Sequence, residues 1–158
     1  MKYRIKKANI RDKDEIAKLY RSLIGQAGCT WNNEYPNNKI IEQDIRKEEL
    51  FCLKKKNEII ATATLTKDIE IEKEISKSYN PYLLTRVAVN RKYQGQGYSK
   101  VLLQQVFEIA RKEKIDLIYL LVNKENKRAK SLYKKFAFKF KKIIKLYEFE
   151  WELLEKNI

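Results

Sequence analysis

Arg86–Lys100 reads RVAVNRKYQGQGYSK. The run Val87–Val89, two β-branched valines about Ala88, gives way to polar residues, then to Gln94, Gly95, Gln96, Gly97, Tyr98 and Ser99, and an apolar-periodic helix begins at once. Two glycines between a strand and a helix let the backbone turn sharply and bring several N–H groups near a ligand. The helix start adds unpaired N–H donors and the positive end of its dipole, so an anion is favoured there. The dipole alone contributes about 0.3–1 kcal/mol to holding such an anion. The stretch therefore reads as a pyrophosphate cradle.

The flanks extend this into a fold. Pro81 disfavours helix at its predecessor, and Tyr82–Val89 is a long, nearly continuous apolar strand broken by Thr85 and Arg86. After the glycines, Val101, Leu102, Leu103, Val106, Ile109 and Ala110 make a broad apolar helix face. Asp116 leads into the unbroken apolar run Leu117–Val122, a buried strand. Strand, crossover helix and strand predict a right-handed parallel βαβ unit. Asn126 opens a short helix with Ala129, Leu132, Tyr133 and Phe136 on one face, and Phe138–Ile144 and Lys145–Leu153 read as two antiparallel strands.

Towards the N-terminus, Tyr3–Lys7 is a short strand, and Asp12 with Glu15 resembles a capping box. Ile16, Leu19, Tyr20, Leu23 and Ile24 form one helix face, ending near Gly25. Cys29–Asn38 is an aromatic loop carrying Trp31 and Tyr35, and Asn38 caps a helix with Ile40, Ile41 and Ile45 on its apolar face. Leu50–Leu53 and Glu58–Leu65 form a hairpin around Lys56-Asn57, and Asp68–Asn80 is a charged excursion between strands. The sum is a single α+β domain over residues 1–158: one mixed, mostly antiparallel sheet with a central parallel βαβ unit, flanked by helices.

Bulk properties narrow the function. A chain of 158 residues buries about 68–70% of its unfolded surface, no apolar stretch approaches bilayer length, and the basic N-terminus lacks the apolar core of a signal peptide. Cys29 and Cys52 have no metal-ligand spacing and no histidine exists, so no metal site is expected, and reduced thiols fit a cytoplasmic location. The net charge of +14 is read as compositional bias, since lysines run along the whole chain and acids interrupt most runs. A nucleic-acid partner is possible but not favoured, and no membrane partner is expected.

A dinucleotide fingerprint needs a third glycine, where Lys100 stands, and an acid after the second strand, whereas Asp116 precedes it. A Walker A loop is absent. The motif Gln94-Gly95-Gln96-Gly97-Tyr98-Ser99 instead resembles the Q/R-x-x-G-x-G/A signature of the GNAT superfamily of acetyl-CoA-dependent N-acetyltransferases. Downstream, Asn126, Ala129, Leu132-Tyr133 and Phe136-Ala137-Phe138 resemble that family's N-x-x-A-x-x-x-Y-x-x-x-G-F segment. Ser99 replaces the last Gly/Ala, and Ala137 replaces a glycine, which matters where the turn requires positive φ.

The resemblance implies an acyltransferase with acetyl-CoA as donor. Backbone N–H groups from Gly95 through Gln96, Gly97 and Tyr98 to Ser99 would hold the pyrophosphate, with the Gln94 side chain closing the loop. Val87, Ala88 and Val89 would hold the pantetheine arm, the backbone of Val87 and Val89 pairing with it and polarising the thioester carbonyl. Asn126 would bond the pantetheine, and Tyr133 would protonate the departing thiolate. A tyrosine hydroxyl, with a pKa near 10, suits a leaving group of similar basicity.

With no histidine, the general base is open. Glu34 is the first carboxylate to test, and Cys29 as a covalent nucleophile has no evident partner base. Trp31, Glu34 and Tyr35 are the expected substrate-side residues, with Asp68–Asn80 adding selectivity. The expected reaction moves acetyl from acetyl-CoA to a primary amine by direct attack in a ternary complex. The expected acceptor is a small amine or amino-acid-like metabolite, and the protein a monomer or homodimer. The competing readings are acetylation of an RNA-linked or protein amine, such as an aminoacyl-tRNA, and a non-catalytic CoA-binding module.

Overall fold

The computed structural model describes residues 3–158. Its seven strands form one sheet in the order β1-β2-β3-β4-β5-β7-β6. They are β1 (Ile5–Lys7), β2 (Leu50–Lys55), β3 (Glu58–Thr66), β4 (Pro81–Val89), β5 (Leu117–Asn123), β6 (Lys139–Leu146) and β7 (Phe149–Asn157). The helices are α1 (Lys13–Ser22), α2 (Asn38–Arg46), α3 (Ile69–Glu72), α4 (Tyr98–Lys112) and α5 (Lys127–Lys135). All strand pairs are antiparallel except β4 with β5. The expected mixed sheet with its parallel β4–α4–β5 unit is therefore present.

Each sheet face buries its own core. Leu102, Leu103, Val106, Phe107 and Ala110 of α4 pack with Ile118 and Leu120 of β5 and Tyr133 of α5. On the other face, Ile16, Leu19 and Tyr20 of α1 and Ile41 and Ile45 of α2 pack on Leu50, Cys52, Ile59 and Ala88. Alternation along the strands sends neighbouring residues to opposite cores.

One irregularity sits in β4. Thr62 of β3 pairs with Ala88 and Thr64 pairs with Thr85, so Ala63 alone faces both Arg86 and Val87. That is a β-bulge, and Arg86 adopts φ 48° within it.

Several element ends differ from expectation, each for a local reason. The capping box lies one turn early: Asn9 caps the 3-10 turn Ile10–Asp12, with Asp12 reaching back to it. Asp12 also takes a 2.8 Å bond from Lys54, while Glu15 accepts from the Ile59 N–H at 2.7 Å and so anchors α1 to β3. Asn37, rather than Asn38, caps α2, its side chain accepting from the Ile40 N–H at 2.9 Å. The last hairpin turns at Tyr147-Glu148, both at positive φ, so β7 starts at Phe149 instead of Lys145. Neither turn residue is a glycine or asparagine, so the usual signal was missing.

Ala137 does occupy a positive-φ position, at 67°. It ends α5 in a Schellman motif: the Phe138 N–H donates to the Tyr133 carbonyl at 3.1 Å, and the Ala137 N–H to the Lys134 carbonyl at 3.0 Å. The accompanying apolar contact is Tyr133 against Phe138, ring centroids 5.4 Å apart. A left-handed alanine costs about 1–2 kcal/mol, partly offset by the entropy a glycine loses on folding. Ala137→Gly is expected to raise stability by roughly 0.5–1 kcal/mol in urea denaturation. A lower midpoint at unchanged slope would contradict this account of the turn.

Candidate active site

β4 and β5 pair only through Pro81–Leu117, Tyr82–Ile118 and Leu83–Tyr119. Beyond Leu83 the two strands part. From Leu84 to Val89, β4 keeps its partner β3 and has none on the β5 side, while β5 continues against β7 alone. The parting opens a cleft with an unpaired strand edge along one wall. Val87 and Val89 are half-buried on that strand, against the α4–α5 core, and Ala88 is buried against α1 and α2.

Past Val89 the chain makes a 3-10 turn, Arg91–Tyr93, and enters the glycine segment. Gly95 and Gly97 take φ of 76° and 85°, and a side chain built on either would meet no atom within 4 Å. Both Cβ directions thus face open space. Gly97 precedes α4 without a side-chain cap, so the first N–H groups of a 15-residue helix have no side chain answering them. Gln94 turns back to donate to the Val89 carbonyl at 3.0 Å and pairs with Gln26. Gln96 donates to the Lys92 carbonyl, and Tyr98 stacks edge-on against Tyr3 and Tyr93. Ser99 is half-buried in the first turn of α4.

The opposite wall comes from β5 and α5. Asn126 caps α5, its Oδ1 accepting from the Ala129 N–H at 3.1 Å, and its Nδ2 reaches the Gly28 carbonyl at 3.4 Å. Tyr133 is 8% exposed, and burial pushes its hydroxyl up to about 12. Among the described residues no protein group bonds that hydroxyl.

Between the α1–α2 loop at Gly28–Thr30, the end of β5 at Asn123–Glu125 and the β6–β7 turn at Glu148–Glu150 lies a cavity of about 430 Å³. Cys29 lines it; Trp31, Glu34 and Tyr35 do not. Trp31 is half-buried against Tyr20, centroids 5.0 Å apart, which makes it a plug of the α1–α2 core. Glu34 is exposed, and the Tyr35 hydroxyl accepts from Arg86 at 3.1 Å.

The Asp68–Asn80 excursion lies at the far end of the sheet. Ser78, Tyr79 and Asn80 all bond the Asp116 carboxylate at the start of β5, and Ser76 bonds Glu155. These hydrogen bonds, the one from Ser78 foremost, hold the Asp116 carboxyl below its ordinary range. This segment, expected to add selectivity, closes the paired end of β4 and β5.

A family model for the GNAT acetyltransferases matches residues 16–138. The chain belongs to this acetyltransferase family. A GNAT acetyltransferase from Streptococcus agalactiae superposes with a TM-score of 0.83 at 15% identity, covering 99% of this chain and 95% of the other. The ribosomal-protein-S18-alanine N-acetyltransferase of Escherichia coli gives 0.76 at 18% identity, over 99% and 94%. A Salmonella typhimurium protein solved with its cofactor acetyl-CoA gives 0.76 at 12% identity, over 99% and 94%. A comparison with curated protein sequences gives no match. At these identities the structural likeness speaks for the fold; the family match makes the protein an acyltransferase of the GNAT type, a family that uses acetyl-CoA.

The cradle of this GNAT acetyltransferase fits such a donor: open glycines, an uncapped helix start and a free strand edge adjoin one another. The sequence did not reveal Gln26, Gly28, Asp44 or Arg86. Gly28 had the one available signal, as a glycine after a helix end. Its φ is 84°, and an added Cβ would lie 2.7 Å from Asn126 Cγ, so loop and α5 meet backbone to side chain. Gly28→Ala is expected to cost roughly 2–4 kcal/mol, from left-handed strain and overpacking, in chemical denaturation. Unchanged stability would mean the loop does not dock there as described.

Proposed function

We propose that this protein transfers acetyl from acetyl-CoA to a primary amine by direct attack, with donor and acceptor bound together. The observation that carries this reading is the unpaired edge of β4, lying between the uncapped start of α4 and the α5 wall. Acetyl-CoA supplies an activated acyl thioester. The backbone N–H groups of Gly95–Ser99 bind its pyrophosphate, with Gln94 holding the turn to Val89. The free edge at Val87 and Val89 binds the pantetheine arm as an added strand, and an N–H there donates to the thioester oxygen as its charge grows. Asn126 Nδ2, held within the protein by a 3.4 Å contact, is the atom left for that arm.

Tyr133 gives its proton to the departing sulfur, and the proton that the attacking nitrogen sheds passes through solvent and restores the tyrosine. Its hydroxyl has no protein partner to displace, and its raised pKa keeps it protonated well above neutral pH. The acceptor enters through the cavity beside Gly28–Thr30, where Glu125 and Glu148 attract an ammonium group and Glu150 is paired with Lys124. Glu34, exposed on the same loop, does not line this cavity. The default acceptor is a small or amino-acid-like primary amine.

Release of CoA thiol across an amine panel tests the reading. Tyr133→Phe is expected to lower turnover about 10²–10⁴-fold while acetyl-CoA binding holds. Because the folded tyrosine loses its proton only near 12, wild-type turnover should rise with pH as the amine is neutralised, with no fall before pH 10. Silence over the whole panel despite acetyl-CoA binding would favour a non-catalytic CoA-binding module instead.

One observation favours a second acceptor class. Residues 124–145 hold ten Lys or Arg and one Glu, nine of the fourteen net positive charges. Lys124, Lys130 and Lys142 pair with Glu150, Glu152 and Glu74. Among the described residues the other seven, on α5 and the edge strand β6, are exposed without an acidic partner. The charge is concentrated, which compositional bias alone does not produce, and it suits an amine carried on RNA. Turnover of an aminoacyl-RNA would then fall steeply with salt, whereas turnover of the free amine would not. Equal salt response for both substrates would remove this reading.

A further inference from the structure

Three features of β4 and α2 take no part in the reaction as described: a buried carboxylate, a left-handed arginine in a strand, and a bond from that arginine to the aromatic loop. Asp44 of α2 is 5% exposed, yet it sits on the helix face between Ile41 and Ile45 that packs on the sheet. Arg86 answers it with a two-pronged bond, Nε to Oδ2 at 2.7 Å and Nη2 to Oδ1 at 2.9 Å. Thr64 donates a further bond to Oδ2 at 3.2 Å. The third guanidinium nitrogen, Nη1, donates to the Tyr35 hydroxyl at 3.1 Å.

The position of Arg86 is what makes this more than a buried ion pair. It is the residue at φ 48° in the β4 bulge, within the free strand edge and immediately before Val87. A left-handed non-glycine residue persists in a strand only where surrounding contacts over-determine it. Here those contacts come from α2 on one side and the α1–α2 loop on the other. The guanidinium fork fixes direction as well as charge, since a carboxylate accepts both prongs in one plane. The same loop carries Gly28–Thr30, which wall the cavity. One side chain therefore ties the backbone that receives the thioester to the segment that shapes the acceptor entrance.

We propose that Arg86 is a positioning residue for acetyl transfer: through Asp44 it holds the β4 bulge in register with the donor, and through Tyr35 it holds the acceptor loop over the same point. This rests on the functional reading above, in which Val87 and Val89 carry the donor arm. Arg86 itself touches neither substrate. Its effect is geometric, and a misplacement of about 1 Å between reacting groups costs on the order of a hundredfold in rate.

The test separates placement from stability. Arg86→Gln alone leaves Asp44 buried without a counter-charge and is expected to lower stability, so it does not decide the matter. Replacing both members with apolar residues, Arg86→Met with Asp44→Leu, removes the tie without stranding a charge, and such exchanges are commonly neutral for folding. Tyr35→Phe removes only the loop bond, and Arg86→Lys keeps the charge without the fork. Each variant is measured for thermal midpoint, acetyl-CoA dissociation constant, kcat and acceptor KM.

For the double variant the expected result is a midpoint near wild type and a kcat lower by on the order of a hundredfold. Tyr35→Phe should raise acceptor KM several-fold at unchanged acetyl-CoA affinity, and Arg86→Lys should fall between wild type and the double variant. A stable double variant with wild-type kcat, or Tyr35→Phe with wild-type acceptor KM, overturns the proposal while leaving the function intact. A wild-type protein that transfers acetyl to no amine overturns the function reading, and this role with it.

Discussion

The site depends on the parting of two parallel strands after three pairs. Backbone N–H and C=O groups inside a sheet are normally matched, and leaving several without a strand partner carries a desolvation cost unless water or a ligand answers them. From Leu84 to Val89 one side of β4 goes unmatched, because β5 beyond Tyr119 keeps β7 as its one partner. The departure is held open from both ends. At the paired end, Asp116 gathers Ser78, Tyr79 and Asn80 and fixes how β4 enters the sheet. At the open end, α4 and α5 start from the diverging strands, each packed by its own apolar face. A ligand with alternating amide donors and acceptors, such as the pantetheine arm, matches that edge as a third strand would.

The bulge follows from the same constraint. A strand that keeps one partner and loses the other has room for an extra residue, and the extra residue re-aims the backbone beyond it. Arg86 fills that position, and its side chain passes towards α2 rather than into the cleft. Burying this pair is costly in itself, since desolvation works against the guanidinium's charge. The hydrogen bonds and charge of Asp44 outweigh it and raise the arginine above its ordinary value. Such pairs seldom add much net stability over apolar replacements, so their retention is better understood as specifying geometry.

Contiguity decided what the sequence disclosed. The cradle, the strand before it and the helix after it lie within Tyr82–Lys112, and each residue's task there is set by its own backbone or by near neighbours. Turn glycines, apolar period and a helix start are all local signals. Asp44 has no such signal: on an amphipathic helix it reads as a solvated charge, and only Arg86, 42 positions later, explains its burial. Ala137 and the Tyr147-Glu148 turn were opaque for a related reason. Their left-handed backbones are imposed by the Schellman closure and by β6–β7 pairing, against the residues' own preferences.

The same reasoning explains why donor and acceptor were unequally legible. Acetyl-CoA would be held mainly by main-chain groups, whose placement a short motif encodes. The cavity proposed for the acceptor is built from Gly28–Thr30, Asn123–Glu125 and Glu148–Glu150, a loop and two strand ends brought together by tertiary packing. Its walls are side chains on turns, where local pattern says least about direction. Three hydrogen-bonded joints set the loop that completes it: Gln26 against Gln94, Gly28 against Asn126, and Tyr35 against Arg86. They join the α1–α2 loop to the glycine turn, to α5 and to β4 in that order. On the proposed assignment the acceptor side of the site is thus positioned from the donor side, so a change in the α1–α2 loop would reach the reacting centre through packing as well as through contact with the amine.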